Sequence, residues 1–254
     1  MVSDPAAPLV LLHGLLGDAD DWRPVIQALP GVPCHALDLP GHGRNRALRV
    51  SGFDEAHRWL CAELAARDIA HYRLVGYSLG GRLALHHASH TPAGLQALLL
   101  ENCHPGLPAG ERPARIAHDE AWARRFECEP LTRVLADWYR QGVFADLDDD
   151  ARTRQAARRL GNDGKAVAAM LRATSLGRQP DLAPWLRDTR LPVQWISGNR
   201  DHKFHALACQ LVKQGCNIKH LALDGGHNLH TSQPDTFARL LREWAHQPEE
   251  KIHD

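Results

Sequence analysis

Short apolar runs alternate with segments of helical periodicity along the first hundred residues, and this alternation constrains the fold most strongly. The predicted strands are residues 9–12, 34–37, 73–76 and 95–100. Helical spacing covers residues 53–67 and 79–89. Consecutive strands separated by helices form parallel sheets, because parallel neighbours require a crossover connection. The sequence therefore predicts an α/β fold, in which a mostly parallel central sheet is flanked by helices.

The pattern changes after the fourth predicted strand. Residues 104–187 are rich in Arg, Ala, Asp and Trp and contain no clear strand, so we predict a helical lid there. Strand patterns return at 193–197 and 219–223, followed by a closing helix at 234–245 and an exposed tail. The predicted division is an α/β core of residues 1–103 and 188–254 and a helical lid of residues 104–187.

Charge and composition exclude several functions. Lys and Arg total 30, as do Asp and Glu, so the formal net charge is zero and neither nucleic acid nor a membrane is an expected partner. No segment approaches the ~18 consecutive apolar residues of a transmembrane helix. Residues 1–5 lack the features of a secretory signal. The six scattered cysteines contain no C-x-x-C pair, which favours a cytoplasmic location.

The pentapeptide Gly76-Tyr77-Ser78-Leu79-Gly80 matches the pattern G-x-S-x-G. A predicted strand precedes it and a predicted helix follows, which is the setting of a nucleophile elbow. The glycines permit a tight turn, because side chains at those positions would clash. Such a turn projects the Ser78 hydroxyl above the sheet, so Ser78 is the candidate nucleophile.

A nucleophilic serine needs a base, and the base needs an orienting carboxylate. Asp201 and His227 follow the last two predicted strands, at the end of the sheet where ligands bind. We assign Asp201 as the orienting acid and His227 as the base. Asp224 and His230 are the alternatives, and each is placed less well relative to its strand.

The segment His13-Gly14-Leu15-Leu16-Gly17 follows the first predicted strand. A loop in this position supplies one backbone donor of an oxyanion hole, and the residue after the nucleophile supplies the other. We therefore expect the N–H groups of Leu15 and Leu79 to be these donors, and His13 itself to be structural.

These motifs together resemble the α/β-hydrolase superfamily. Further stretches closely resemble one of its branches, the synthases that form 2-succinyl-6-hydroxy-2,4-cyclohexadiene-1-carboxylate in menaquinone biosynthesis. These stretches are residues 101–107, 136–139, 143–145, 173–176, 179–182 and 200–204. The resemblance extends from about residue 9 to 244 and includes the predicted lid. It is specific, because lids vary most within the superfamily.

The resemblance implies a carbon–oxygen lyase that needs no cofactor. Members of this branch eliminate pyruvate from 2-succinyl-5-enolpyruvyl-6-hydroxy-3-cyclohexene-1-carboxylate, a small polyanionic substrate. Ser78, activated by His227, would act as the base, and Asp201 would hold the imidazole. The amides of Leu15 and Leu79 would stabilise negative charge on a substrate oxygen.

Several residues are candidates for binding the carboxylates of this substrate, because guanidinium groups bind carboxylates in bidentate fashion. Arg82 lies four residues after Ser78 on the same predicted helix, so the two share one face. The resemblance assigns Arg115 and Arg159 to substrate carboxylates and Trp138 to an aromatic wall, and Tyr77 adjoins the nucleophile. The predicted substrate-binding residues are Tyr77, Arg82, Arg115, Trp138 and Arg159.

Two other functions fit parts of this pattern. A carboxylesterase or thioesterase would use the same triad through an acyl-enzyme, although it has no need for the arginines. A binding module without activity would have no use for a complete triad. His86 with His90 and His202 with His205 have helical spacing without a convincing third ligand, so no metal is expected. The sequence carries no signal that distinguishes a monomer from a homo-oligomer.

Overall fold

The computed structural model describes residues 7–246, whose centre is a six-stranded parallel sheet. The strands are β1 (Leu9–Leu12), β2 (Cys34–Leu37), β3 (Tyr72–Tyr77), β4 (Leu95–Glu101), β5 (Val193–Gly198) and β6 (Lys219–Leu223). They are ordered β2-β1-β3-β4-β5-β6, and each neighbouring pair is parallel. All carboxyl ends therefore lie along one edge, so the loops that follow the strands meet there.

Helices connect the strands on both sides of the sheet. The described α-helices are α1 (Arg23–Gln27), α2 (Phe53–Ala65), α3 (Leu79–Ser89), α4 (Arg112–Cys128), α5 (Leu131–Trp138), α6 (Asp149–Arg158), α7 (Gly164–Ala173), α8 (Ala183–Asp188), α9 (His202–Lys213), α10 (Leu229–Ser232) and α11 (Pro234–Ala245). No helix within residues 7–246 is long and apolar enough to cross a membrane.

Alternate residues of the central strands pack against opposite layers of helices. Val10 and Leu12 lie in a cluster with apolar side chains of α2, α3, α8 and α9. Leu9 and Leu11 lie in a second cluster with side chains of α1 and α11. Both faces of β1 and β3 are thus covered, which is the reason that these strands are continuous apolar runs.

The helices α4 to α7, which we call the helical insertion, lie between β4 and β5 in the chain. They share an apolar cluster that includes Phe126, Leu135, Val167 and Leu171, and Leu16 from the loop after β1 joins it. Leu186 of α8, by contrast, packs in the cluster on the sheet. The division of the chain into core and lid stays a prediction.

The predicted α/β fold with its parallel sheet is confirmed, and the bounds of its elements differ only slightly. The three strands β1, β2 and β6 begin and end where the pattern predicts, whereas β3, β4 and β5 are longer by one or two residues. Helix α2 ends at Ala65, two residues earlier than predicted. The expectations for residues 1–5 and for the tail from 247 onwards lie outside the described residues.

Candidate active site

The turn between β3 and α3 holds Ser78 in a backbone conformation that few residues adopt. Its φ is 50°, in the left-handed region. Glycine is required beside it, because a Cβ on Gly76 would lie 2.6 Å from the carbonyl oxygen of Gly80. The Ser78 N–H donates to the carbonyl of Glu101 at 2.9 Å, which ties the turn to the end of β4. The predicted nucleophile elbow is therefore present as a structural element.

The structure brings the three predicted triad residues into one hydrogen-bonded row. His227 Nε2 lies 3.1 Å from Ser78 Oγ, and His227 Nδ1 lies 2.6 Å from Asp201 Oδ2. An ionised carboxylate can only accept, so Nδ1 carries the proton and Nε2 is left to accept from the hydroxyl. The other oxygen of Asp201 accepts from the N–H of Phe204 at 3.2 Å. Because Asp201 and His227 are buried, this row is shielded from competing water.

The alternative residues for the triad are engaged elsewhere. His230 Nδ1 donates to Glu101 Oε2 at 2.7 Å, and its ring stacks on Trp22 with centroids 4.0 Å apart. Asp224 forms an exposed ion pair with Arg200 at 3.1 Å. Neither side chain is hydrogen-bonded to Ser78, so the geometry favours Asp201 and His227.

The two candidate oxyanion donors lie on either side of the nucleophile. Leu79 opens α3, where a backbone N–H has no acceptor one turn earlier. Leu15 follows β1, and within residues 7–246 its N–H has no hydrogen-bond partner. The neighbouring Leu16 N–H donates to His42 Nε2 at 3.1 Å, which anchors the loop. Both amides are therefore available to a bound oxygen.

Two buried histidines hold the loop that carries Leu15. His13 Nε2 accepts from the N–H of Leu39 at 3.0 Å, and His42 Nδ1 lies 3.0 Å from the carbonyl of Pro40. Burial, aided by the charge of His13, lowers the pKa of His42 to about 3. Both rings contact backbone on either side, so His13 is structural here, as the sequence analysis expects.

A cavity of about 530 Å³ opens beside Ser78 and His227. Side chains from the loops and from the helical insertion line it, among them Leu15, Tyr77, Arg115, Trp138, Phe144 and Lys203. Three of the five predicted substrate-binding residues, Tyr77, Arg115 and Trp138, thus face the same space as the nucleophile. The rings of Tyr77, Phe144 and Phe204 lie 5.4, 5.9 and 4.8 Å from the His227 ring, so the base has largely aromatic surroundings.

Two cations line this cavity. Arg115 Nε donates to Asp119 Oδ1 at 2.8 Å, and this ion pair sets the direction of the guanidinium. Lys203, which the sequence analysis missed, stands two residues after Asp201. Burial, and next the positive charge of Arg115, lower the pKa of Lys203. A bound anion would relieve the repulsion between these two cations, so this pair suits a carboxylate.

Arg82 lies behind the nucleophile helix. Its Nη1 donates to the carbonyl of Thr174 at 2.8 Å, and its guanidinium lies over the ring of Phe53. Burial, and then the charge of Arg115, lower the pKa of Arg82 to about 10, so the group stays charged near neutral pH. Arg82 is not among the described side chains that line the cavity. It connects α3 to the end of the helical insertion.

Arg159 is one wall of a second, smaller cavity of about 240 Å³. This cavity and the first share four lining residues, which are Leu15, Tyr77, Phe144 and His227. Arg159 Nη1 donates to Asp21 at 2.8 Å. Burial alone would lower the pKa of Arg159, but the charge of Asp21 and contact with Tyr139 raise it above its usual value. Its charge is therefore largely balanced within the protein.

Two residues at the end of β4 position the histidine loop, and the sequence analysis assigned neither a role. Asn102 Nδ2 donates to the carbonyl of His227 at 2.8 Å, and Asn102 Oδ1 accepts from the Gly198 N–H at 3.2 Å. Glu101 Oε1 accepts from the first N–H of α10 at 2.6 Å. The available signal was their place directly after a central strand, one strand away from Ser78.

A serine, a histidine and an aspartate joined at the carboxyl edge of a parallel sheet define a class of protein. The alpha/beta hydrolase family model matches residues 9–240, and the chain belongs to that family. Within it, the chain is a member of the group of 2-succinyl-6-hydroxy-2,4-cyclohexadiene-1-carboxylate synthases, as the relatives described next show.

The relatives resemble this chain over nearly its full length. The synthase of that name from Serratia proteamaculans is 45% identical, and the alignment covers 94% of this chain and 93% of the relative. The one from Yersinia enterocolitica is 47% identical over 92% and 84%. The solved structure of MenH from S. aureus has a TM-score of 0.86 at 26% identity and covers 96% of this chain and 94% of its own. These matches confirm the family expected from the sequence.

Proposed function

We propose that this chain eliminates pyruvate from 2-succinyl-5-enolpyruvyl-6-hydroxy-3-cyclohexene-1-carboxylate, giving 2-succinyl-6-hydroxy-2,4-cyclohexadiene-1-carboxylate in menaquinone biosynthesis. One observation carries the proposal: relatives 45% and 47% identical over more than nine-tenths of the chain bear the name of this synthase. That length includes the helical insertion, whose Arg115 and Trp138 line the cavity beside Ser78.

The reaction is a 1,4-elimination, and the triad can supply its proton transfers. Ser78 Oγ takes the proton from ring carbon 2 while its own proton moves to His227 Nε2. The electron pair forms the carbon 2–carbon 3 double bond, and the old double bond moves to carbons 4 and 5. The bond from carbon 5 to the enolpyruvyl oxygen breaks, and enolpyruvate leaves. It takes up the proton held by His227 and becomes pyruvate, so no water and no cofactor are consumed.

Asp201 and the two loop amides would stabilise the charges that arise during this step. The imidazole of His227 becomes cationic when it accepts the Ser78 proton, and the adjacent carboxylate of Asp201 favours that form. Carbon 2 is next to the succinyl ketone, so negative charge develops on the ketone oxygen. The N–H groups of Leu15 and Leu79 are the donors proposed to receive it.

The substrate carries several carboxylates, and the cations around the cavity suit them. Arg115 and Lys203 would bind the carboxylate nearest to Ser78, while Trp138 and Tyr77 would pack against the ring. Arg159 lies one cavity further along and would act at the far end of the substrate. Arg82 would act through its contact with the helical insertion, which we propose to be the lid. All six cysteines are free, which supports a reducing cytoplasm.

The test is pyruvate release by purified protein, with the unstable substrate generated in situ by the preceding pathway enzymes. We expect release far above the spontaneous rate, and slow cleavage of p-nitrophenyl esters and thioesters in parallel. The Ser78→Ala variant should lose the activity, whereas Ser89→Ala on the same helix should keep it. Release at the spontaneous rate, together with fast ester hydrolysis, would instead identify a serine hydrolase and overturn the proposal.

A further inference from the structure

Away from the active site, the outer face formed by α2 and α3 carries a dense group of side chains that can ligate metals. His57 and Cys61 lie one turn apart on α2, and His87 faces them from α3. One ligand atom from each lies within 4.8 Å of the others. Cys61 Sγ is 3.7 Å from His57 Nε2, and His57 Nδ1 is 2.9 Å from His87 Nδ1.

We propose that His57, Cys61 and His87 form a binding site for a divalent transition-metal ion of the zinc type. Tetrahedral zinc takes a thiolate at about 2.3 Å and imidazole nitrogens at about 2.0–2.1 Å, so its ligand atoms lie roughly 3.4–3.6 Å apart. The observed separations bracket that spacing, and small side-chain rotations suffice to reach it. One thiolate and two imidazoles favour zinc over magnesium or calcium, which prefer oxygen ligands. Cys61 is exposed, so water can take the fourth position.

A buried tyrosine supports the third ligand from behind. Tyr72 Oη lies 2.6 Å from His87 Nε2, and Tyr72 itself is buried in β3. This contact leaves His87 Nδ1 as the nitrogen that faces α2. Metal-bound histidines characteristically have such a partner on the second ring nitrogen, because it fixes the ring and its tautomer. The arrangement is therefore that of a ligand already oriented for a metal.

A second group of three lies beside the first and competes for the ion. Asp54, His86 and His90 also bring ligand atoms within 4.8 Å of one another, and the His90 ring stacks on the His57 ring at 4.1 Å. This group offers a carboxylate in place of a thiolate. Because thiolate binds zinc-type ions more strongly than carboxylate does, the first group is the proposed site. The sequence shows His86 and His90 as a pair, but Asp54 and His57 become neighbours only when α2 packs on α3.

The site is separate from the reaction. His87 lies nine residues after Ser78 on the same helix, which corresponds to roughly 13 Å along its axis. The bound ion would join α2 to α3 and stabilise the folded chain, because it binds the native state in preference to the unfolded one. Chelator treatment should accordingly lower the melting temperature in the presence of zinc and leave pyruvate release unchanged.

The experiment is a Co²⁺ titration of untagged, chelator-treated full chain under a phosphine reductant. We expect visible d–d bands of tetrahedral cobalt and a near-ultraviolet thiolate-to-cobalt band, both removed by one equivalent of Zn²⁺. Cys61→Ser and His57→Gln should abolish the thiolate band and the zinc-dependent rise in melting temperature. Tyr72→Phe should weaken the metal affinity about 10- to 100-fold.

Matched variants decide between the outcomes. Cys128→Ser, at another exposed cysteine, should titrate like the parent chain, as should Asp54→Asn and His90→Gln. Melting without metal shows whether each variant is folded. A flat cobalt titration of the parent chain would overturn the proposal. A titration that survives Cys61→Ser but fails in Asp54→Asn would also overturn it and move the ion to the neighbouring group.

Discussion

The side-chain amide of Asn102 donates to the backbone carbonyl of His227 at 2.8 Å and to that of Gly226 at 3.3 Å. Its own carbonyl oxygen accepts from the N–H of Gly198, at the end of β5. One buried side chain thus connects the histidine loop to the strand that leads to Asp201. The distance from His227 to its carboxylate is set in part by this residue, which touches neither side chain.

Asn102→Asp tests this relationship. The change replaces the donor with an oxygen that faces two carbonyls, so buried acceptors lose their partner at a cost of about 1–3 kcal/mol in unfolding free energy. We expect kcat to fall more than KM changes, because the histidine loop shifts. Urea denaturation and steady-state kinetics measure the two effects. The matched control is Asn217→Asp, whose amide makes a similar bond to the Thr189 carbonyl at the surface; equal losses in both variants would refute the positioning role.

Removing members of the triad should stop turnover while the fold persists. Ser78→Ala and His227→Ala should each lower kcat by several powers of ten, because the two act as one unit. Asp201→Asn should cost about 10⁴-fold, since an amide can hold the imidazole in the wrong tautomer. Single-turnover pyruvate release and thermal melting would be recorded together. Near-native elimination by Ser78→Ala would contradict the proposed base.

Lys203 is expected to contribute to substrate binding. Lys203→Met keeps the length of the side chain and removes the charge beside Arg115, so KM should rise about tenfold or more with a smaller change in kcat. Lys213→Met, at the exposed end of the same helix, is the matched control. If the two variants had the same KM as the parent chain, Lys203 would have no part in binding the carboxylates.

The buried neutral imidazole of His42 predicts a loss of stability in acid. Its pKa is about 3 in the folded chain against an ordinary 6.5, so below pH 6.5 the unfolded chain takes up a proton that the folded chain cannot. Stability should fall as the pH drops from 6.5 towards 3, by about 2 kcal/mol per such histidine between pH 6.5 and 5. Urea denaturation at several pH values measures this slope.

His42→Gln should flatten this slope, because the amide oxygen can accept from Leu16 without titrating. His71→Gln, at an exposed histidine, should leave the slope as it is in the parent chain. A parent chain with the same stability at pH 7 and pH 5 would show that His42 titrates normally in the folded state.

Local signals were sufficient for the sheet and for the triad positions. Strand bounds followed from apolar runs, because residues such as Leu9 to Leu12 are buried on both faces. Ser78, Asp201 and His227 each follow a strand directly, and parallel strands bring such residues to one edge. Chain order alone did not exclude His230, whose pairing with Glu101 joins residues 128 positions or more apart.

The surroundings of the site could not be predicted in the same way. Arg82 and Arg159 stand at spacings that suggest substrate carboxylates, yet one donates to the Thr174 carbonyl and the other to Asp21. These partners come from segments 92 and 138 residues away. Periodicity describes which face of a helix is buried, but it does not say which distant polar group meets that face. Lys203 escaped notice for the same reason.

The separation of Ser78 from His227 by 149 residues has a consequence during synthesis. The nucleophile leaves the ribosome long before its base, and at 5–20 residues per second the interval is roughly 7 to 30 s. Throughout that time the nascent chain can close the turn around Ser78 but has no imidazole to receive its proton. The reactive serine is thus chemically silent until β6 has been made and has joined the edge of the sheet, which protects the cell from a half-built enzyme.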